Sequence, residues 1–199
     1  KESYSSFSLD GVECRMGGIA KGSGMIHPDM ATMLAYLVTD VAITPELLDA
    51  ALHEAVADSF NMITVDGDTS TNDMVGVLAN GLAENPVIDR KGPAYDRFRD
   101  ELKKHCIELA QQIVADGEGA TKQIQYTVEG APSDADARRV ARTISDSNLV
   151  KTAFFGRDPN WGRIVGAADG AGVDFTPEKV DLHLGSSKQL HQILAGGQP

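Results

Sequence analysis

Between Ala94 and Asp116 the apolar residues Phe98, Leu102, Cys106, Leu109 and Ile113 recur every three or four positions, and Gly117 follows. That spacing places them on one face of a long helix that stops at the glycine. A one-sided stripe of this length must face a core. Thr44-Pro45-Glu46 opens a second helix, with Thr44 as N-cap and Pro45 at the first position. Leu47, Leu48, Ala51, Leu52, Ala55, Val56 and Phe60 form its stripe. Ser133 caps a third, whose apolar face is Ala137, Val140, Ala141 and Ile144.

Between these helices lie β-prone stretches. Ile124, Tyr126 and Val128 alternate with polar residues as a half-buried strand does. KTAFFG (151–156) and KVDLHL (179–184) read as strands, Asn61 to Val65 as a short one, and GRDPNWGRIVGAADG as a turn then a helix. MVGVLANG (74–81) is an apolar element closed by Asn80-Gly81. PDMATMLAYLVTDVAI (28–43) suits a buried strand or a helix, and its period does not separate the two. Alternating helices and strands without repeats predict a layered α+β fold.

With 199 residues, 42% of them hydrophobic, the chain can build a sizeable core. Its net charge of −11 argues against nucleic acid and anionic membrane partners. No apolar run approaches the roughly 18 to 20 residues that span a bilayer, and no signal peptide is visible in KESYSSFSLDG. The two cysteines, Cys14 and Cys106, form neither a disulfide framework nor a zinc set. These features predict a soluble cytoplasmic protein. Lys1 is no initiator and the chain stops at AGGQP, so both ends read as cut, and the expectation is either a fragment or a fold that neighbouring chains complete.

Three segments are odd as ordinary structure. Glycines 17, 18, 22 and 24 around Lys21 could form a loose turn, or expose amides that hold an anion. DGDTSTND (66–73) resembles the start of a calcium loop, but Thr71 and Val77 stand where such a loop has Gly and Glu, so no metal is expected. Its dense hydroxyls, amides and carboxylates suit a turn with a helix cap, or support for a neighbouring site. GEGATK (117–122) is too short for a phosphate loop; Gly117 can simply end a helix there, with Glu118 in solvent. The five histidines lack metal-ligand spacing, no Ser-His-Asp or Cys-His triad emerges from spacing, Cys106 reads as core, and Trp161 as a packing anchor.

Four stretches taken together are more specific. KGSGMIHPDMATMLAYLVTDV, TVDGDTSTNDMV, GEGATK and GRDPNWGRI, in this order, resemble the ornithine acetyltransferases, the glutamate N-acetyltransferases of arginine biosynthesis. The likeness runs from about Gly11 to Leu184. It implies a sandwich of β-sheets between helices, like the N-terminal-nucleophile hydrolases. It also implies self-cleavage at Ala31–Thr32, leaving 1–31 as the tail of an α chain and 32–199 as the start of a β chain, with α and β chains forming a heterotetramer. By the same resemblance Thr32 is the nucleophile and, with Lys21 and Glu118, binds substrate; Asp66, Asp68 and Asn72 are placed only in support around the site.

A threonine freed at its α-amine supplies both hydroxyl and base, since an unperturbed α-amine titrates at about 8. A single residue can then do what a triad does. The implied reaction moves an acetyl group from N2-acetylornithine to glutamate without metal or prosthetic group, and acetyl-CoA is a second donor in the bifunctional branch. The family's oxyanion-stabilising Thr-Gly pair falls outside this sequence, so the chain is expected to be inactive alone. Two other classes fit the bare residues: an N-terminal-nucleophile aminopeptidase or amidase, and a non-enzymatic domain whose glycine loop holds a small anion.

Overall fold

A computed structural model describes residues 1–27, 33–186 and 188–199. The chain forms two compact units, 1–120 and 121–199.

The first unit is built on a four-stranded sheet in the order β1-β2-β3-β4. Strands β1 (Glu2–Leu9) and β2 (Val12–Lys21) make an antiparallel hairpin with Leu9 opposite Val12. Asp10 and Gly11 turn it at φ of 50° and 86°, the two positive values that a tight two-residue hairpin turn demands. β3 (Leu34–Thr39) pairs antiparallel with β2, which settles the 28–43 stretch as a strand across its described core. After helix α1 (Pro45–Ala57), β4 (Met74–Ala79) returns parallel to β3. Helix α2 (Pro93–Ala115) follows.

Both helices start close to their sequence signals and α2 stops at its glycine, whereas α1 ends at Ala57, so Phe60, expected on its stripe, falls in the turn beyond it. Thr44 is the N-cap of α1, though its side chain makes no capping bond. Gly117 donates its N–H to the Val114 carbonyl at 3.1 Å as α2 ends. The α2 stripe of Phe98, Leu102, Cys106, Leu109 and Ile113 is fully buried, and α2 packs on β1 and β2. Phe7, Leu9, Cys14, Met16, Ala20, Ala35 and Leu37 meet the helices in that core, as alternation along strands requires. The outward positions include Tyr4, Ile19, Tyr36, Val38 and Leu78, all exposed.

The glycine run 17–18 is therefore not loop. Both residues lie inside β2, where a β-carbon on Gly18 would stand 3.0 Å from Leu109 Cδ1 and 3.2 Å from Leu37 Cγ. Gly18 is small because α2 packs directly over it. The β-prone 61–65 also differs from expectation: a 3₁₀ turn occupies Phe60–Met62, and Val65 N–H bonds to the Ile26 carbonyl at 2.9 Å.

The second unit holds α3 (Asp134–Asp146), α4 (Asn148–Phe155), α5 (Trp161–Asp169) and an antiparallel hairpin of β5 (Leu182–Ser186) with β6 (Gln189–Leu194). Ser133 caps α3 as predicted, accepting from Asp136 N. Residues 151–155, expected as a strand, belong instead to α4. Ser147 starts that helix by accepting from Val150 N–H, and Val150 and Ala153 are buried at helical spacing. The segment 124–128 is neither helix nor strand; Tyr126 packs edge-on against Phe154 with ring centroids 6.3 Å apart. Alternation alone does not make a strand where no neighbour offers a ladder. Trp161 opens α5 and is 39% exposed, so it is not the buried anchor its size suggests. Asn160 caps that helix, accepting from Arg163 N–H at 3.1 Å.

Candidate functional site

The exit of β2 and the entrance of β3 enclose the first candidate segment. Lys21, the last residue of β2, is exposed and lies opposite Leu34 in the β2–β3 register. Beyond it the backbone turns at residues 22–27. Met25 sits at φ 56°, a left-handed conformation that costs a non-glycine residue roughly 1–2 kcal/mol. Asp66 offsets that cost. Its Oδ2 accepts the Met25 N–H at 2.6 Å, and its Oδ1 accepts the N–H groups of Ile26 and Asp68, each at 3.1 Å. The polar 66–73 segment thus clamps the turn from one side.

Residues after α2 hold it from the other. Glu118 N–H donates to the Ser23 carbonyl at 2.9 Å, and Ser23 Oγ donates to the Asp116 carbonyl at 3.0 Å. Lys1 Nζ bridges the Gly22 carbonyl at 2.9 Å and Asp116 Oδ2 at 2.6 Å. That ion pair holds the exposed Asp116 carboxyl below the usual carboxylate range. The Glu118 carboxylate lies over Gly24: a β-carbon there would collide with Glu118 Oε2, and Asp66 Oδ2 would be 3.6 Å from it. Gly24 leaves open the space that the Glu118 carboxylate end occupies.

Of the residues singled out in sequence, Lys21, Asp66 and Glu118 therefore border one turn. Asp68 and Asn72 do not reach it with their side chains. Asp68 joins through its backbone N–H alone, and the Asn72 side chain accepts from its neighbour Thr71. Ala31 and Thr32 lie outside the described residues.

Asp73 was not singled out, yet it contacts Met33, the residue that follows Thr32 in the sequence. Its Oδ1 accepts the Met33 N–H at 2.8 Å, and Met74 N–H donates to the Met33 carbonyl at 3.0 Å. Residue 33 is thereby stitched to the strand that Asp73 precedes. Burial pushes the Asp73 carboxyl above its ordinary range, opposed by the Met33 N–H and the Lys21 charge. The available signal was position: an acid immediately before an apolar strand can reach the strand beside it.

Among the described residues no group of His, Cys, Asp and Glu is arranged to hold a metal ion. No helix among them is long and apolar enough to cross a membrane.

Comparison with known proteins gives the family. The pattern of the ArgJ family matches residues 1–199. An arginine biosynthesis bifunctional protein ArgJ from a Synechococcus strain is 54% identical over 185 residues, covering 93% of this chain and 44% of the relative. The protein of the same name from Symbiobacterium thermophilum is 51% identical over 199 residues, covering 100% and 48%. The crystal structure of the Bacillus halodurans ArgJ protein superposes with a TM-score of 0.76 at 43% identity, over 82% of this chain and 75% of that one. The chain spans about half the length of the curated relatives it matches. Its mixed helices and sheets share the fold of the solved relative, and the chain belongs to the ArgJ family.

Proposed function

We infer that this chain carries the nucleophile-bearing part of an ornithine acetyltransferase (glutamate N-acetyltransferase) of arginine biosynthesis. The observation that carries the reading is one turn, residues 22–27, flanked by Lys21, clamped by Asp66 and overlain by Glu118. An amino-acid substrate has a carboxylate for a lysine and an ammonium for a glutamate, and this turn has one of each at its borders.

The chain cleaves at Ala31–Thr32, and Thr32 becomes an N-terminal nucleophile. Its hydroxyl oxygen attacks the acetyl carbonyl of N2-acetylornithine while the α-amine takes the hydroxyl proton. Collapse of the tetrahedral intermediate breaks the amide bond, and the proton passes to the departing ornithine nitrogen. Glutamate then enters, its neutral amine attacks the acetyl-threonine ester, and N-acetylglutamate leaves with the threonine hydroxyl restored. Acetyl-CoA serves as a second acetyl donor. Cleavage leaves the halves held together, because β2 and β3 stay paired from Met16–Thr39 to Lys21–Leu34 across the cut. The α and β chains form a heterotetramer in the cytoplasm.

The test is intact mass and peptide mapping of the full-length protein before and after N2-acetylornithine. A β chain beginning at Thr32 that gains one acetyl group on that peptide is the expected result. An uncut chain that gains nothing overturns the assignment, and a cut chain that releases acetate without transfer points to a hydrolase.

A further inference from the structure

Ile26 anchors one end of the 22–27 turn. Its side chain is buried, its N–H donates to Asp66 Oδ1 at 3.1 Å, and its carbonyl accepts from Val65 N–H at 2.9 Å and Thr64 Oγ1 at 3.3 Å. The other end is Lys21, paired with Leu34 where β2 stops. Between them Met25 takes φ 56°, a conformation that persists in a non-glycine residue only where its surroundings enforce it. Asp66 Oδ2 enforces it, accepting the Met25 N–H at 2.6 Å.

The same segment supports Glu118. Val65 lies against Gly117, where a β-carbon would stand 3.1 Å from Val65 Cγ1. The next residue, Glu118, donates its N–H to the Ser23 carbonyl at 2.9 Å, and its carboxylate lies over Gly24, immediately before Met25. Residues 65 and 66 thus hold both the turn and the acid above it.

N2-acetylornithine has an acylated α-nitrogen, so its ammonium stands at the far end of the side chain. A site that pairs the carboxylate with Lys21 and the ammonium with Glu118 measures the length of that chain. Its accuracy is that of the turn joining the two residues. We propose that Asp66 is the positioning residue that sets donor chain length: by holding Met25 in the left-handed conformation it fixes the turn between Lys21 and Glu118. This rests on those two residues binding substrate. Asp66 acts through the backbone, since both its oxygens already accept N–H groups. Glutamate brings no side-chain ammonium to Glu118, so the acceptor half of the reaction does not depend on the turn.

The experiment uses the full-length protein, wild type and Asp66→Asn, with N2-acetylornithine as donor and N2-acetyllysine, one methylene longer, as competing ligand. Asparagine keeps an oxygen for Ile26 and Asp68 but sets an NH2 group against the Met25 N–H. The kcat/KM for N2-acetylornithine is expected to fall about tenfold, chiefly through KM, while the inhibition constant of N2-acetyllysine and kcat/KM for glutamate each change by about twofold or less. Adding Met25→Gly to Asp66→Asn should recover most of the loss, because glycine takes a positive φ without strain. Loss of a direct charge contact with substrate would not be recovered in this way.

Unchanged discrimination between the two ligands, an equal fall for donor and glutamate, or no recovery in the double variant overturns the inference. Amide exchange in the wild type decides the matter where the variants fail to fold: the Met25 and Ile26 N–H groups should exchange slowly without substrate, and exchange of Met25 at the rate of an unstructured chain overturns it as well. Failure of the underlying reading shows separately, because Glu118→Gln then leaves kcat/KM for N2-acetylornithine unchanged.

Discussion

Gly24 and Glu118 share one volume: a β-carbon on residue 24 would overlap Glu118 Oε2. The glutamate is positioned by the absence of a side chain 94 residues earlier in the chain, and Glu118 N–H fixes the contact through the Ser23 carbonyl at 2.9 Å. The colliding atom is the far end of a flexible, exposed side chain, so Gly24→Ala displaces the carboxylate rather than the backbone. Its stability should stay within about 0.5 kcal/mol of the parent in denaturant titration. In the full-length enzyme KM for N2-acetylornithine should rise several-fold more than kcat falls. An unchanged KM would show that Glu118 does not contact substrate.

Gly17 and Gly18 separate packing from loop chemistry. A β-carbon on Gly18 would press on Leu109 and Leu37 at 3.0 to 3.3 Å, whereas on Gly17 the nearest atom is Ser3 O at 3.6 Å. Overpacking of a buried core costs typically about 1–3 kcal/mol. Gly18→Ala should therefore destabilise by that amount and Gly17→Ala by markedly less. Equal losses in paired denaturation curves would contradict the contact between β2 and α2.

Acid should weaken the first unit through His105. Ser5 Oγ donates to Glu101 Oε1 at 2.7 Å, so the His105 Nε2–H donates to Ser5 at 2.7 Å and Nδ1 accepts from Ser3 Oγ at 2.8 Å. Burial holds the imidazole below its ordinary pKa despite the opposing charges of Glu101 and Glu108. The unfolded chain takes up a proton as pH falls through about 6.5 while the folded one resists, so stability declines below that pH. Burial raises the Glu101 carboxyl, but the bonds from Ser5 and Lys104 and the charges of Lys104 and His105 more than offset it, leaving it below the usual range. Its contribution is lost at more acidic pH, as its folded form is protonated. The unfolding midpoint should fall between pH 7 and 5, and by less in His105→Gln. A parallel decline in the two proteins would remove His105 as the cause.

Neither cysteine should be reactive in the folded state. Cys106 is fully buried on the inner face of α2, and burial pushes its thiol up to about 12, only partly opposed by Ser59. Burial and the Asp40 charge also raise Cys14. At pH 8 iodoacetamide should modify both only after unfolding, because the thiolate is the nucleophile. Rapid labelling of Cys106 in native protein would mean that α2 opens locally.

The sequence by itself determined what depends on neighbours in the chain. The α1 and α2 stripes, Thr44 and Gly117 at helix ends, and the Ser133 cap follow from spacing and short-range hydrogen bonding, so they were legible. The Asp10-Gly11 hairpin was equally local, since its turn signal stands in the sequence, but the polar serines around it mask the alternation. Family resemblance pointed to Lys21 and Glu118, and tertiary structure decided that they border one turn. Other outcomes depended on partners far along the chain. Residues 151–155 are equally apolar as strand or helix, and the Ser147 cap together with burial of Val150 and Ala153 selected the helix. Gly18 is in the core because Leu109, 91 residues away, lies over it, and Asp73 matters because Met33, just before the neighbouring strand, donates its N–H to it. Helical periods are written in adjacent residues, whereas a sheet's neighbours and a carboxylate's partners exist only after distant segments have met.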